Sequence, residues 1–156
     1  MIQRIQTLYL LIIVVLMVIL LIVPLATFIG GTETFTLHAF GIKALSQGNG
    51  QIVPTLYMGI LAVICTLIPV IAIFLYKRRW AQIRLCIAEI ILLAGLQIFV
   101  AFYIYRSYAG IREMASHAIS LSVVDVFPLV GLILAYLAFR GIARDEALIR
   151  SLNRMR

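Results

Sequence analysis

Apolar residues gather along the chain into four long runs, approximately 5–29, 53–76, 85–105 and 123–139, separated by short polar and charged segments. Runs of about 20 apolar residues are what a helix needs to cross a hydrocarbon core about 30 Å thick. None of the four alternates with period two, so strands of a lipid-facing barrel are excluded. Helices remain, because inside lipid every backbone polar group must be satisfied within the segment. The pattern predicts an all-α integral membrane protein, a four-transmembrane-helix bundle forming a single membrane domain over residues 1–156. Its external loops are 30–52 and 106–122, its cytoplasmic loop is 77–84, and its cytoplasmic tail is 140–156.

Composition strengthens this picture. Of 156 residues, 64% are hydrophobic and 12% charged, against about 25% charged in an ordinary soluble domain. A soluble enzyme, a disordered tail and a secreted disulfide scaffold are all excluded by that balance. The first run is too long for the 7–15-residue apolar core of a signal peptide, so it reads as a retained anchor.

Charge sets the expected orientation, because Lys and Arg beside short loops stay on the cytoplasmic face. Arg4 precedes the first run. Lys77, Arg78, Arg79 and Arg84 lie between the second and third, and Arg140, Arg144, Arg150, Arg154 and Arg156 follow the fourth, which makes ten. Only Lys43, Arg106 and Arg112 fall on the other side. Both termini are therefore expected in the cytoplasm, with the chain multi-pass. Tyr76, Trp80 and Tyr136 would mark the inner interface, and Tyr57, Tyr103, Tyr105 and Tyr108 the outer one. The net charge of +7 matches anionic headgroups at the cytoplasmic face, at about 1 kcal/mol per basic residue. Nucleic acid is not an expected partner.

Outside the runs, residues 33–40 are rich in β-branched and aromatic side chains, and 46–50 is a turn signal, which together predict a short β-hairpin in the first external loop. Residues 107–121 suggest a helical turn or two on the outer surface. In the tail, Leu148, Ile149, Leu152 and Met155 recur at helical spacing among arginines, and Glu146 and Arg150 form an i, i+4 pair. A C-terminal amphipathic helix on the inner leaflet is expected, either as an anchor or as a docking surface whose charges are Arg144, Asp145, Glu146, Arg150 and Arg154.

The two ends carry a recognisable pattern, Met1-Ile-Gln-Arg-Ile-Gln-Thr-Leu-Tyr-Leu-Leu11 and Arg144-Asp-Glu-Ala-Leu-Ile-Arg-Ser-Leu-Asn-Arg-Met-Arg156. Together they resemble an uncharacterised family of small four-span inner-membrane proteins of Bacteroidota. The resemblance implies a fold and a location, and carries no catalytic or ligand residues. Asn153 stands where an acid is usual in the family's tail.

Three polar groups fall within the runs. Glu89 lies five residues past Arg84, about 7.5 Å further along a helix. It is read either as an ion-pair partner of Lys77, Arg78 or the tail, or as a proton or cation site. Gln97 would hydrogen-bond across a helix contact. Asp125 would cap the fourth helix, alone or in a capping box with Ser122. Pro24 and Pro69 are expected kinks, with Thr66 available to compensate the latter. Gly131, Ala135, Ala138, Ala88 and Gly95 suit close helix packing. Cys65 and Cys86 would sit roughly 15 Å apart in depth and act as small packing residues.

No phosphate loop, zinc-protease signature or nucleophile elbow occurs in the sequence, so no cofactor is expected and enzyme is the weakest class. The preferred function is that of a non-enzymatic accessory or scaffold protein, acting through helix association and its basic tail, with a membrane-protein partner or a second copy. One alternative is a small oligomeric transporter or channel using Glu89 and Gln97. A second is an external metal site built from His38, Glu113 and His117, a usable set for zinc or iron.

Overall fold

The computed structural model describes residues 2–30, 33–44, 51–75, 78–111 and 117–154. Four helices dominate: α1 (Ile2–Ile22), α2 (Leu56–Phe74), α3 (Arg79–Ile111) and α4 (Phe127–Arg154). All four are long and apolar enough to cross a membrane. Each packs on two neighbours, α1 on α2, α2 on α3, α3 on α4 and α4 back on α1.

The buried positions of each helix recur at alternating intervals of four and three residues. They are Gln6, Leu10, Ile13, Met17 and Leu20 on α1, and Gln82, Cys86, Glu89, Leu93, Leu96 and Val100 on α3. On α2 they are Met58, Ala62, Cys65, Pro69 and Ala72, with Gly59 also buried beside Met58; on α4, Pro128, Gly131, Ala135, Ala138 and Ile142. A 3.5-residue period keeps one seam facing the neighbours along the whole helix. The two seams of large side chains, α1 and α3, are each flanked by the two seams of small ones, α2 and α4. Leu93 and Met17 accordingly close over Gly131, where a Cβ would lie 3.4 and 3.6 Å from their methyl carbons. The opposite faces are apolar and open: Ile22, Phe74 and Ile98 are each more than 70% exposed. That much bare apolar surface suits a lipid surround.

The chain between the helices forms a second layer. Strands β1 (Ala26–Gly30), β2 (Glu33–His38), β3 (Gly41–Ala44), β4 (Gln51–Pro54) and β5 (His117–Leu121) make one antiparallel sheet in the order β4-β3-β2-β1-β5. Leu25, Ala26, Phe28 and Leu37 are buried in the common core. A 3-10 turn (Val123–Val126) then leads into α4. The sheet draws strands from both connections expected on the outer side, so it ties the end of α1 to the start of α4.

Several expectations are corrected. The first apolar run is not one helix: α1 stops at Ile22, since Pro24 disfavours helix at the residue before it, and residues 26–30 become the strand between β2 and β5 rather than a helix end. The expected hairpin is part of a five-stranded sheet, and its turn at 46–50 lies outside the described residues. Residues 117–121 are a strand, because their pairing partner, β1, lies some ninety positions away in sequence where no local pattern can show it. Residues 107–111 continue α3. The tail is no separate surface helix: α4 runs unbroken from Phe127 to Arg154, about 42 Å at 1.5 Å per residue. Pro69 sits inside α2, and the Thr66 hydroxyl donates to the carbonyl of Ala62 at 2.8 Å, not to that of Cys65. Gly95 packs on nothing, as a Cβ there would meet no atom within 4 Å.

Thr55 clasps the sheet to α2. It is fully buried, its hydroxyl is shared between the carbonyls of His38 (3.2 Å) and Ala39 (3.0 Å), and its N–H donates to Phe40 at 3.3 Å. One turn on, Gly59 lets the Phe40 ring lie against the helix, and a Cβ there would run into that ring. Replacing Thr55 by Val keeps the shape but removes the donor, so Thr55→Val is expected to destabilise by about 1–3 kcal/mol. The thermal midpoint in detergent should fall for Thr55→Val and be largely kept for Thr55→Ser.

Candidate functional site

Glu89 sits on the α3 seam, ten residues into the helix, about 15 Å along its axis. The helix begins at Arg79 rather than near Leu85, which places the carboxyl twice as far from the helix start as the apolar run implied. It is 1% exposed, and neither carboxyl oxygen has a hydrogen-bond partner. The expected ion pair is absent among the described residues. Arg84 lies five positions away, about 140° around the helix, and is exposed like Arg78, Arg140 and Arg144; Lys77 lies outside the described residues.

Cys86 lies three positions before Glu89 on the same seam, and Cys65 lies on the seam of the neighbouring helix α2. The two cysteines are free and buried. Counted from the short connection between α2 and α3, Cys65 lies nine residues back from Phe74 and Cys86 seven on from Arg79, about 3 Å apart in depth and not the expected 15 Å, because α3 starts earlier than its apolar run. A carboxylate buried without partners costs several kcal/mol. Glu89 is therefore the site's least satisfied group.

Gln97 does not extend this site. It lies one position off the seam, and Leu93 and Leu96, both fully buried, fill the interior between it and Glu89. Its side-chain carbonyl oxygen is buried without a partner, so the expected hydrogen bond across a helix contact is not formed. It lines instead an open cavity with Asp125. Asp125 is not the cap of α4. The residue before the 3-10 turn is Ser122, in extended conformation and with no side-chain capping bond; the Asp125 N–H donates to the Ser122 carbonyl at 3.1 Å, and the buried Asp125 carboxyl has the Ser122 backbone N–H as its neighbouring donor. The intervening 3-10 turn moves the start of α4 to Phe127, past the reach of a cap at 125.

At the other end of the helices, the Gln6 side-chain amide donates to Asp145 at 2.8 Å. Gln6 is buried, and Gly141 lies directly beneath it: a Cβ there would come within 3.1 Å of the Gln6 side chain. The two terminal segments thus meet, α1 holding the far end of α4. The sequence reading missed Gln6 and Gln82, both buried. The signal was present, because each sits four residues before the next apolar seam position on its helix. Near this end Arg78, Trp80, Arg84 and Glu146 line an open groove of about 770 Å³ floored by Ile71 and Leu85. Arg150 and Arg154 fall in the last turns of α4.

The external metal set is not assembled. His117 pairs with Gly30 at one end of β1, whereas His38 lies one residue beyond the Leu37–Ala26 pair at the other. That is five positions, about 16 Å along the strands and two strands apart. Register alone separates them too far to share one ion. Burial first, then Lys43, holds the His38 imidazole below the usual histidine pKa. Glu113 lies outside the described residues, and among those described no three metal-binding side chains cluster.

Among known proteins, a family model described as Domain of unknown function (DUF4293) matches residues 2–155. No curated protein matches. No solved structure matches either.

The bond between Gln6 and Asp145 joins residues 139 positions apart and is charge-assisted, worth about 1.5–3 kcal/mol. A double-mutant cycle with Gln6→Ala and Asp145→Ala, read by thermal unfolding in detergent, should return a coupling of about 1 kcal/mol or more. Purely additive effects would show that the contact carries no energy.

Proposed function

We propose that this chain, which belongs to the Domain of unknown function (DUF4293) family, is a non-enzymatic accessory or scaffold protein of the bacterial inner membrane. Both termini face the cytoplasm, and the end of α4 is its docking element. The observation that carries this reading is the Gln6–Asp145 bond, which fixes the charged end of a continuous helix against α1. An arm held in this way offers the exposed Arg144 to a partner at little ordering cost, and Arg150 and Arg154 follow on the same helix. The orientation rests on the ten-to-three split of basic residues between the two ends. Arg78 and Arg84, beside Trp80 in the groove, suit anionic lipid headgroups on the same face.

Association through the small residues of α4 is disfavoured. Ala135 and Ala138 are fully buried within the chain, so a partner must meet the arm or the outward faces of the helices. Purification from native membranes in mild detergent should yield a stoichiometric co-purifying membrane protein. The Arg144→Glu, Arg150→Glu double variant should lose it. A monodisperse monomer with no companion would refute the reading. In sealed cells, external protease should leave a C-terminal epitope intact.

A second reading is favoured by one observation, the unpartnered Glu89 carboxyl in the helix interior. In it Glu89 carries a proton or cation during transport by an oligomer. The expected outcome is flux in proteoliposomes that falls at least tenfold in Glu89→Gln, as roughly 1.4 kcal/mol of lost stabilisation would give; equal flux in both proteins removes transport from consideration.

A further inference from the structure

The groove between the end of α2, the start of α3 and the charged part of α4 carries both signs of charge above an apolar floor. Arg78 and Arg84 stand in it, both exposed, and α4 contributes Glu146. Its volume of about 770 Å³ is within the range of about 300–1,000 Å³ usual for small-ligand sites. Ile71, on the floor, is also the last of four exposed positions on α2: Ile60, Ile64, Leu67 and Ile71. Intervals of four, three and four residues put these on one face of the helix. They form an apolar strip about 16 Å long that leads away from the groove. A charged pocket continuous with such a strip suits an amphiphile, with a charged head and a long apolar chain. A free anion would leave the strip unused.

The charges define the head. Guanidinium groups take phosphate oxygens through paired N–H donors. Two arginines against one carboxylate leave one positive charge, which a single phosphodiester neutralises. A phosphomonoester carries close to two negative charges near neutral pH, and Glu146 repels the second. A zwitterionic head has no net charge and leaves one arginine uncompensated. The Glu146 carboxylate has about four acceptor sites on its two oxygens, so a bond within the chain leaves capacity for hydroxyl donors on a bound head. Trp80, half exposed in the same groove, is a residue type that settles at headgroup level.

We propose that this groove binds one monoanionic phospholipid whose head carries hydroxyls, as that of phosphatidylglycerol does. Arg78 and Arg84 hold the phosphodiester, Glu146 accepts from the head hydroxyls, and an acyl chain lies along the strip from Ile71 to Ile60. The site rests on the reading above only for setting this end of the helices among anionic headgroups, and it requires no protein partner.

The full chain, purified alone in detergent at neutral pH, is mixed with equal amounts of phosphatidylglycerol, phosphatidylethanolamine and phosphatidic acid of identical acyl chains, and retained lipid is counted by native mass spectrometry. One phosphatidylglycerol per chain should be retained, about tenfold better than phosphatidylethanolamine, the effect of a charge-assisted hydrogen bond, and several-fold better than phosphatidic acid. General attraction to a basic surface would rank the lipids by charge, so phosphatidic acid retained best by the wild type would overturn the site. Arg78→Gln with Arg84→Gln should lower phosphatidylglycerol retention about tenfold, and Glu146→Gln should raise phosphatidic acid to the level of phosphatidylglycerol. Arg140, exposed on α4 and outside the groove, is the control, and Arg140→Gln should leave retention unchanged. Circular dichroism and gel filtration should match the wild type throughout; should the double variant fail to give monodisperse helical protein, Arg84→Gln alone decides. An equal loss in Arg140→Gln would overturn the site. Free glycerol phosphate displacing the lipid at equal concentration would do the same, since the strip would then contribute nothing. These readouts use the chain without companions, so failure of the lipid site and failure of the scaffold reading are told apart.

Discussion

The 3.5-residue seam is the constraint on which the rest of this molecule depends. Helices surrounded by lipid gain nothing from burying apolar side chains against one another in place of acyl chains, so they associate through close packing and a few polar contacts. Here the closeness comes from an alternation of size. Leucine, isoleucine and methionine on α1, and leucine and valine on α3, meet the alanine, glycine, cysteine and proline that make up α2 after Met58 and α4 before Ile142. Each large seam then has two small neighbours. The helices can approach without voids, and the seams hold register along their length. A large residue at Gly131 or Ala135 would part α4 from α1 and α3 together.

The seam is not uniformly apolar. Its polar members, Gln6, Gln82 and Glu89, all lie toward the end where the chain starts and finishes. Toward the other end it is apolar and passes into a core shared with the sheet, through Leu25, Phe28 and Leu37. The two ends therefore differ in kind. One is fastened by strand pairing that brings the α1–α2 and α3–α4 connections into a single sheet, and the other by a side-chain hydrogen bond between segments at opposite ends of the chain. Groups left without partners, the Glu89 carboxyl on the seam and the Gln97 carbonyl oxygen beside it, are where the fold does not satisfy its own chemistry. That is what singles them out.

Four apolar runs of helical length, the excess of hydrophobic residues and the distribution of basic ones are properties of the chain alone, so four candidate membrane helices were legible before any coordinates. So was the presence of Glu89 inside an apolar run, an unusual place for an acid wherever it points. Its surroundings were not legible. The run 85–105 understates α3, since arginines and Trp80 belong to the helix although they are not apolar, and that error displaced Glu89 and Cys86 along the axis. β1 was hidden for the opposite reason: Thr27, Phe28 and Ile29 are apolar or β-branched enough to prolong a helical run. Only the proline before them and the strands on either side make them a strand.

By itself, then, the sequence determined what depends on composition and local periodicity: four long apolar helices, the segments that join them, and the polar residues they must carry. Tertiary structure alone decided what depends on neighbours distant along the chain. It paired residues 117–121 with β1, set Gln6 against Asp145, parted His38 from His117 by strand register, and put Gln97 on the same cavity as Asp125 instead of in line with Glu89. The reason is physical. Hydrophobicity is a property of each residue and sums along a segment, whereas a hydrogen bond or a seam contact exists only once two segments have been placed, and their placement is fixed by the packing of the whole.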